Sequence, residues 1–250
     1  MGYVIAVAGK GGTGKTTIAA LITRLLKENK RGSVLAIDAD PNSNLAETLG
    51  SEVKQTIGSM LDNVAKHPDM IPSGMTKYRF IEYQVQTIIS EADGFDLLTM
   101  GKPEGPGCYC YVNNVLRNVL AELIKDSDYV VIDNEAGLEH LSRRTTRQAD
   151  ALVIISDATA VGLKAAGRID NLTKELDIKV KNKFLLVNRY NETMDNKKVS
   201  GIDALFLGQI PNDEQIFQLS LNGNSLLKLS QDAPSISALV KIGEKIWQSN

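Results

Sequence analysis

The sequence predicts one doubly wound α/β domain across residues 1–250, a mostly parallel sheet with helices on both faces. Three observations carry this expectation. Short apolar runs alternate with stretches of helical periodicity along the whole chain. Most of the runs are continuously apolar rather than alternating, as in strands covered on both faces. No repeat, low-complexity tract or linker divides the chain.

The strands expected in order are Tyr3–Ala8, Ser33–Asp38, Phe95–Met100, Tyr129–Asp133, Ala151–Ser156, Phe184–Asn188 and Ala204–Gly208. Helices are expected between them at Thr16–Glu28, Tyr78–Ala92, Val112–Lys125, Ala158–Leu176 and Ile236–Trp247. The last is amphipathic, but Glu244 offsets Lys241 and Lys245. It therefore reads as a core-packing helix rather than a membrane anchor. Ligands of such sheets sit beyond the carboxyl ends of the strands. The unusual segments fall there: Gly9–Thr17, Asp38–Asn44, Gly101–Cys110 and Asp133–Gly137.

Composition narrows the class. Hydrophobic residues make up 43 % and charged residues 23 % of the chain, ordinary for a globular protein. A net charge of −2 leaves no footprint for nucleic acid, so no such partner is expected. No apolar run approaches the roughly 18 residues of a membrane span. The first apolar stretch runs straight into a glycine-rich loop, unlike a signal peptide. Position 6 is Ala6, which spoils a myristoylation signal at Gly2. A cytoplasmic protein without stable membrane association is expected. Its two cysteines, Cys108 and Cys110, are separated by one residue. Chance gives that spacing in about 1 % of cases. In a reducing cytosol the pair reads as a metal or redox site rather than a structural disulfide.

Gly9-Lys10-Gly11-Gly12-Thr13-Gly14-Lys15-Thr16-Thr17 has the G-x-x-x-x-G-K-T spacing of a phosphate-binding loop. A strand precedes it and a helix follows, so phosphates would meet a helix N-terminus. Gly11, Gly12, Thr13, Gly14, Thr16 and Thr17 are expected to hold the nucleotide. Lys15 would reach the β- and γ-phosphates, and the Thr16 hydroxyl would bind Mg²⁺. Asp133, at the end of an apolar strand, is assigned to Mg²⁺, directly or through its waters. Asp40 is assigned to orienting or deprotonating the attacking water. Gly137 suits a loop that moves when the γ-phosphate leaves. Either aspartate could instead cap a helix or turn, but both fall beyond strand ends, where a nucleotide enzyme needs them.

The base can be argued from what is missing. GTP-binding proteins commonly carry Asn-Lys-x-Asp, whose carboxylate accepts from guanine. Here the strand Phe184–Val187 runs into Asn188-Arg189-Tyr190-Asn191, with an amide in the discriminating position. An amide offers a donor as well as an acceptor, so ATP is favoured. Asn188 and Arg189 take the base-binding position.

The loop Gly9–Thr17 resembles the deviant Walker A motif of the family that includes MinD, ParA, the arsenite-pump ATPase and the nitrogenase iron protein. That resemblance implies that Lys10 reaches across a dimer to the partner's phosphates. It also makes the Asp40-Pro41 segment switch I and Asp133–Gly137 switch II. Within the family, Met100–Tyr111 together with Glu139-His140-Leu141 is similar to the CooC/AcsF-type ATPases. These mature nickel enzymes, namely carbon monoxide dehydrogenase and acetyl-CoA synthase. The resemblance implies dimerisation on nucleotide binding, a nickel enzyme as client, and a metal shared between two Cys-x-Cys loops.

The chemistry of Cys108 and Cys110 agrees. Residues i and i+2 of an extended segment point the same way, so both thiolates can face one ion. They half satisfy a four-coordinate ion, and a two-fold axis would supply the other half. Zn²⁺, Cu(I) and Ni²⁺ all suit such thiolates. The ligand set does not choose among them; the resemblance chooses nickel. Two rivals stand beside this reading. One is an iron–sulfur reductase with a cluster shared across a dimer. The other is a positioning ATPase of the MinD or ParA class; Arg143, Arg144 and Arg147 could form a basic face for it, but they read better as a solvated helix surface. His67, in a Lys-His-Pro turn, and His140, after switch II, are weaker candidates for metal ligation.

Overall fold

The computed structural model describes residues 2–102, 110–138 and 148–247, the side chains of 110–115 excepted. Among these residues the sheet has eight strands. They are β1 (Tyr3–Gly9), β2 (Val34–Asp38), β3 (Ser90–Ala92), β4 (Phe95–Thr99), β5 (Tyr129–Asp133), β6 (Gln148–Ser156), β7 (Lys179–Asn188) and β8 (Leu205–Ile210). The helices are α1 (Lys15–Glu28), α2 (Asn44–Leu49), α3 (Ile57–Lys66), α4 (Lys77–Ile88), α5 (Cys110–Asp126), α6 (Ala160–Glu175), α7 (Glu214–Leu221) and α8 (Pro234–Trp247). The spatial order is β3-β4-β2-β5-β1-β6-β7-β8, and every pairing is parallel except β3 with β4. This is the doubly wound sheet that the sequence predicts.

The apolar runs are continuous because both faces of the sheet are covered. One face packs Ile5, Val7, Ala36 and Val131 against Ile18, Leu21 and Ile22 of α1 and Ile236, Leu239 and Trp247 of α8. The other packs Val4, Ala6, Ile37 and Ile132 against α3, α4, α5 and α6. Successive strand residues alternate between these two cores. Polar residues fix the helix starts. Thr56 and Ser59 form a capping box on α3, Thr76 caps α4, and Thr159 caps α6. The Asp213 carboxylate accepts from the Ser235 N–H at 3.0 Å and its hydroxyl at 2.6 Å, pinning the start of α8.

The structure corrects several boundaries. The helix predicted over Tyr78–Ala92 ends at Ile88, and Ser90–Ala92 turns back as an antiparallel edge strand on β4. β7 begins at Lys179 rather than Phe184, and β6 at Gln148 rather than Ala151. Their early residues are polar, but backbone pairing is indifferent to that, and Lys181 meets Asp150 at 2.6 Å. α2, α3 and α7 have no counterpart among the expected helices. α5 starts at Cys110, two residues before the expected Val112. α8 packs as a core helix, although Val240 on it is exposed. No described helix is long and apolar enough to cross a membrane.

Candidate functional site

β5 lies between β2 and β1, so three strand ends meet beneath the phosphate loop. The loop joins Gly9, the last residue of β1, to Lys15, the first of α1. At Gly9 a Cβ would stand 2.4 Å from the Ile155 carbonyl oxygen, so only glycine fits. Gly14 caps α1 in the left-handed region at φ 90°, again a glycine conformation. The Thr13 hydroxyl and N–H both donate to the Lys10 carbonyl, at 2.8 and 3.3 Å, which closes the loop on itself. Gly14 brings no side chain to cap α1, and no acidic residue sits in the first turn of the helix. Its leading N–H groups are therefore open to anionic oxygens at the positive end of the helix dipole. Lys15 is buried, with its ammonium 3.5 Å from the Lys10 carbonyl. Thr16 and Thr17 are half-buried, whereas Lys10, Gly11 and Gly12 face solvent.

Asn188 and Arg189, assigned from sequence to the base, clasp this loop in the structure. Asn188 Nδ2 donates to the Thr13 carbonyl at 2.8 Å, and its Oδ1 accepts from the Arg189 N–H at 3.0 Å. The Arg189 guanidinium reaches the Gly12 carbonyl at 3.4 Å. Arg189 adopts φ 56°, a left-handed conformation that turns its side chain back over the loop.

A row of register partners crosses the sheet at the same level: Val7 on β1, Asp133 on β5, Asp38 on β2 and Thr99 on β4. All four project toward the α1 side, because Val7, Ala36, Leu97 and Val131 belong to that core. Asp38 is fully buried. Its carboxylate accepts from the Leu45 N–H at 2.8 Å and the Asp40 N–H at 3.2 Å, so it holds the start of α2 and shapes the loop before it. Burial raises its pKa to about 6 against those two donors. Asp133 is 1 % exposed, and among the described residues neither carboxylate oxygen has a hydrogen-bond partner of good geometry. Burial raises its pKa to about 7; the neighbouring Thr16 hydroxyl and Lys15 oppose the rise, and Asp38 and Asp40 add to it. A buried carboxylate beside a threonine hydroxyl, with free lone pairs, fits the hard oxygen donor set of Mg²⁺.

Asp40 is half-buried, in the loop after β2. Its Oδ1 accepts from the N–H and side-chain amide of Asn42, at 2.8 and 2.9 Å. Gly137, at φ 132°, lies past the end of β5. Lys10, Lys15, Asp40 and Asp133 thus gather around one strand-end face. Cys110 opens α5, not an extended segment, and its side chain lies outside the described residues, as does Cys108. His140, Arg143, Arg144 and Arg147 also lie outside them. His67 is exposed where α3 ends. The sequence reading missed Asp38, although it too stands at the end of a strand in an Asp-x-Asp pair; β2–β5 pairing sets it directly beside Asp133.

Comparisons with known proteins agree with this geometry. Residues 4–226 match the model of the CobQ/CobB/MinD/ParA nucleotide binding domain. An uncharacterized ATP-binding protein of Methanocaldococcus jannaschii is 43 % identical over 250 residues, covering 97 % of this chain and 98 % of that one. The carbon monoxide dehydrogenase accessory protein CooC of Rhodospirillum rubrum is 32 % identical, covering 90 % of each chain. Among solved structures, the MinD protein of Pyrococcus horikoshii complexed with Mg-ADP superposes with a TM-score of 0.71 at 21 % identity, over 99 % of this chain and 97 % of that one. The chain belongs to the CobQ/CobB/MinD/ParA nucleotide-binding family and is a P-loop ATPase of it.

Proposed function

We propose that this ATPase is a metal-handling switch, which dimerises with nucleotide and holds nickel, or zinc, between the Cys108 and Cys110 pairs of two copies. The observation that carries the proposal is where the described chain stops and resumes on either side of Cys108. The chain leaves β4 at Thr99, in the same register row as Asp38 and Asp133, and α5 opens with Cys110. The Cys-x-Cys segment thus connects to the face where the nucleotide sits. A helix N-terminus also favours the thiolate, the form that binds metal. Similarity to CooC, whose name ties it to carbon monoxide dehydrogenase, supports nickel as the cargo and a nickel enzyme as the client.

Each residue has a role in this reading. The loop from Gly11 to Thr17 and the ammonium of Lys15 bind the phosphates, while Asn188 and Arg189 hold the loop in shape. Thr16 and Asp133 hold Mg²⁺, which neutralises phosphate charge when bound. Asp40 orients the attacking water, and Lys10, exposed on the same face, reaches the partner's phosphates. The chain works as one domain over 1–250 in the cytoplasm. Equilibrium dialysis against nickel and zinc tests the metal assignment: Cys108→Ala/Cys110→Ala loses the bound ion. Unchanged stoichiometry in that variant rejects the assignment. An anaerobic visible spectrum separates the iron–sulfur alternative, since a cluster is brown and a nickel or zinc site is not.

A further inference from the structure

A groove of about 610 Å³ lies between α6 and the turn at 196–202 that precedes β8. Leu163 and Ile202 contribute apolar surface, and Lys164, Arg168, Asn171 and Lys198 supply polar groups. Among the described residues no carboxylate lines it, and none of the three cations meets one. The nearby carboxylates are already engaged. Asp170 and Asp203 pair with Lys183, Asp203 also with Lys174, and Asp157 accepts from the Thr159 N–H and hydroxyl.

Lys164 and Arg168 stand at i and i+4 on α6, with Asn171 three residues further, so they form one stripe along the helix. Like charges at that spacing oppose each other and destabilise an isolated helix. On α6 no acidic residue stands three or four positions from Lys164 or Arg168, since Asp170 is held by Lys183 and Glu175 lies seven residues beyond Arg168; this is the arrangement expected where an anionic partner relieves them. The same helix stripe reaches the nucleotide face. Arg168 and Asn171, with Glu175 further along α6, also line a second cleft, shared with Lys10 and Gly11 of the phosphate loop and with Ala136 and Gly137 past β5.

We propose that this groove docks an extended acidic segment of a partner protein. Its carboxylates sit on Lys164, Arg168 and Lys198, and its apolar side chains enter between Leu163 and Ile202. Charge complementarity selects the acidic partner. The mixed lining selects peptide over nucleic acid: no aromatic side chain is there to stack a base, and the chain as a whole carries a charge of −2. Arg168 and Asn171 line both this groove and the cleft beside the phosphate loop, so the partner would sit next to the nucleotide face. This inference goes beyond the metal reading and stands without it.

Fluorescence anisotropy with a fluorescein-labelled peptide of repeating Glu-Glu-Leu tests it on the full chain. The expected result is saturable binding that weakens with salt. Lys164→Glu/Arg168→Glu/Lys198→Glu should weaken it by at least about tenfold, with an unchanged circular dichroism spectrum as the check on folding. A Gln-Gln-Leu peptide that binds as tightly overturns the proposal, as does equal binding by wild type and variant. Tighter binding of an oligothymidylate of matched charge overturns it in favour of nucleic acid. A change of sedimentation in the variant, with no peptide binding by wild type, overturns it in favour of a second copy.

Discussion

Asp38 and Asp133 are direct register partners on adjacent parallel strands, and both carboxyl groups are buried on the face that meets α1. Their pKa values lie near 6 and 7, above the 3.8 of a free aspartate, because burial disfavours the charged forms. A carboxyl whose folded pKa is raised binds its proton more tightly in the folded chain. The nucleotide-free protein is therefore most favoured by this pair near pH 4 and loses that stability as pH rises through about 6 and 7. Asp133→Asn removes one buried charge. It should raise stability at pH 8 by up to about 4 kcal/mol and flatten the pH dependence, while Mg²⁺-dependent turnover falls. Urea unfolding at several pH values checks both. Parallel curves for wild type and variant would contradict the pairing.

The clasp of Asn188 on Thr13 spans 175 positions of sequence and is buried. Asn188→Ala leaves the Thr13 carbonyl without its donor, a loss of about 1–3 kcal/mol. The phosphate loop should loosen with it, so that ATP binds less tightly by roughly tenfold or more. Gly14→Ala does worse, since the new Cβ would stand 2.3 Å from Asn188 Nδ2 at a left-handed φ. Isothermal titration with a non-hydrolysable ATP analogue measures both effects. ATP affinity in Asn188→Ala equal to wild type would reject the clasp.

Asp40 and Lys15 should separate chemistry from binding. Asp40→Asn keeps the Asn42 turn bonds but removes the base, so kcat should drop by about a hundredfold or more with little change in KM. Lys15→Ala removes the buried ammonium and should abolish turnover together with tight nucleotide binding. A nearly normal rate in either variant would refute its role.

Gly243 gives a test of the packing of α8. Alanine is normally about 1 kcal/mol better than glycine within a helix. Here a Cβ would stand only 2.0 Å from the buried Trp247 ring. Overpacking of that kind costs about 1–3 kcal/mol, so Gly243→Ala should lower the unfolding midpoint. A raised midpoint would show that the indole moves aside freely.

What the sequence made legible follows the reach of the interactions. The phosphate loop reads directly because glycine, lysine and threonine at fixed spacing, between an apolar run and a helix, suffice to define it. The order of the strands cannot be read that way. Asp38 becomes part of the site only because β5 inserts beside β2, a pairing between residues far apart in the chain. The chemistry of Asn188 points to the base, while its bond to the Thr13 carbonyl becomes visible only when the fold brings the two together. β3 is not legible in the sequence, because three residues carry too little pattern against the helical periodicity of Lys77–Ile88.

The most direct test of the switch is native mass spectrometry of the whole chain with Mg²⁺, a non-hydrolysable ATP analogue and nickel. The prediction is a dimer carrying one nickel ion for every two chains, with the ion lost in Cys108→Ala/Cys110→Ala. One ion per monomer, or a dimer that holds nickel equally well without the cysteines, would contradict it.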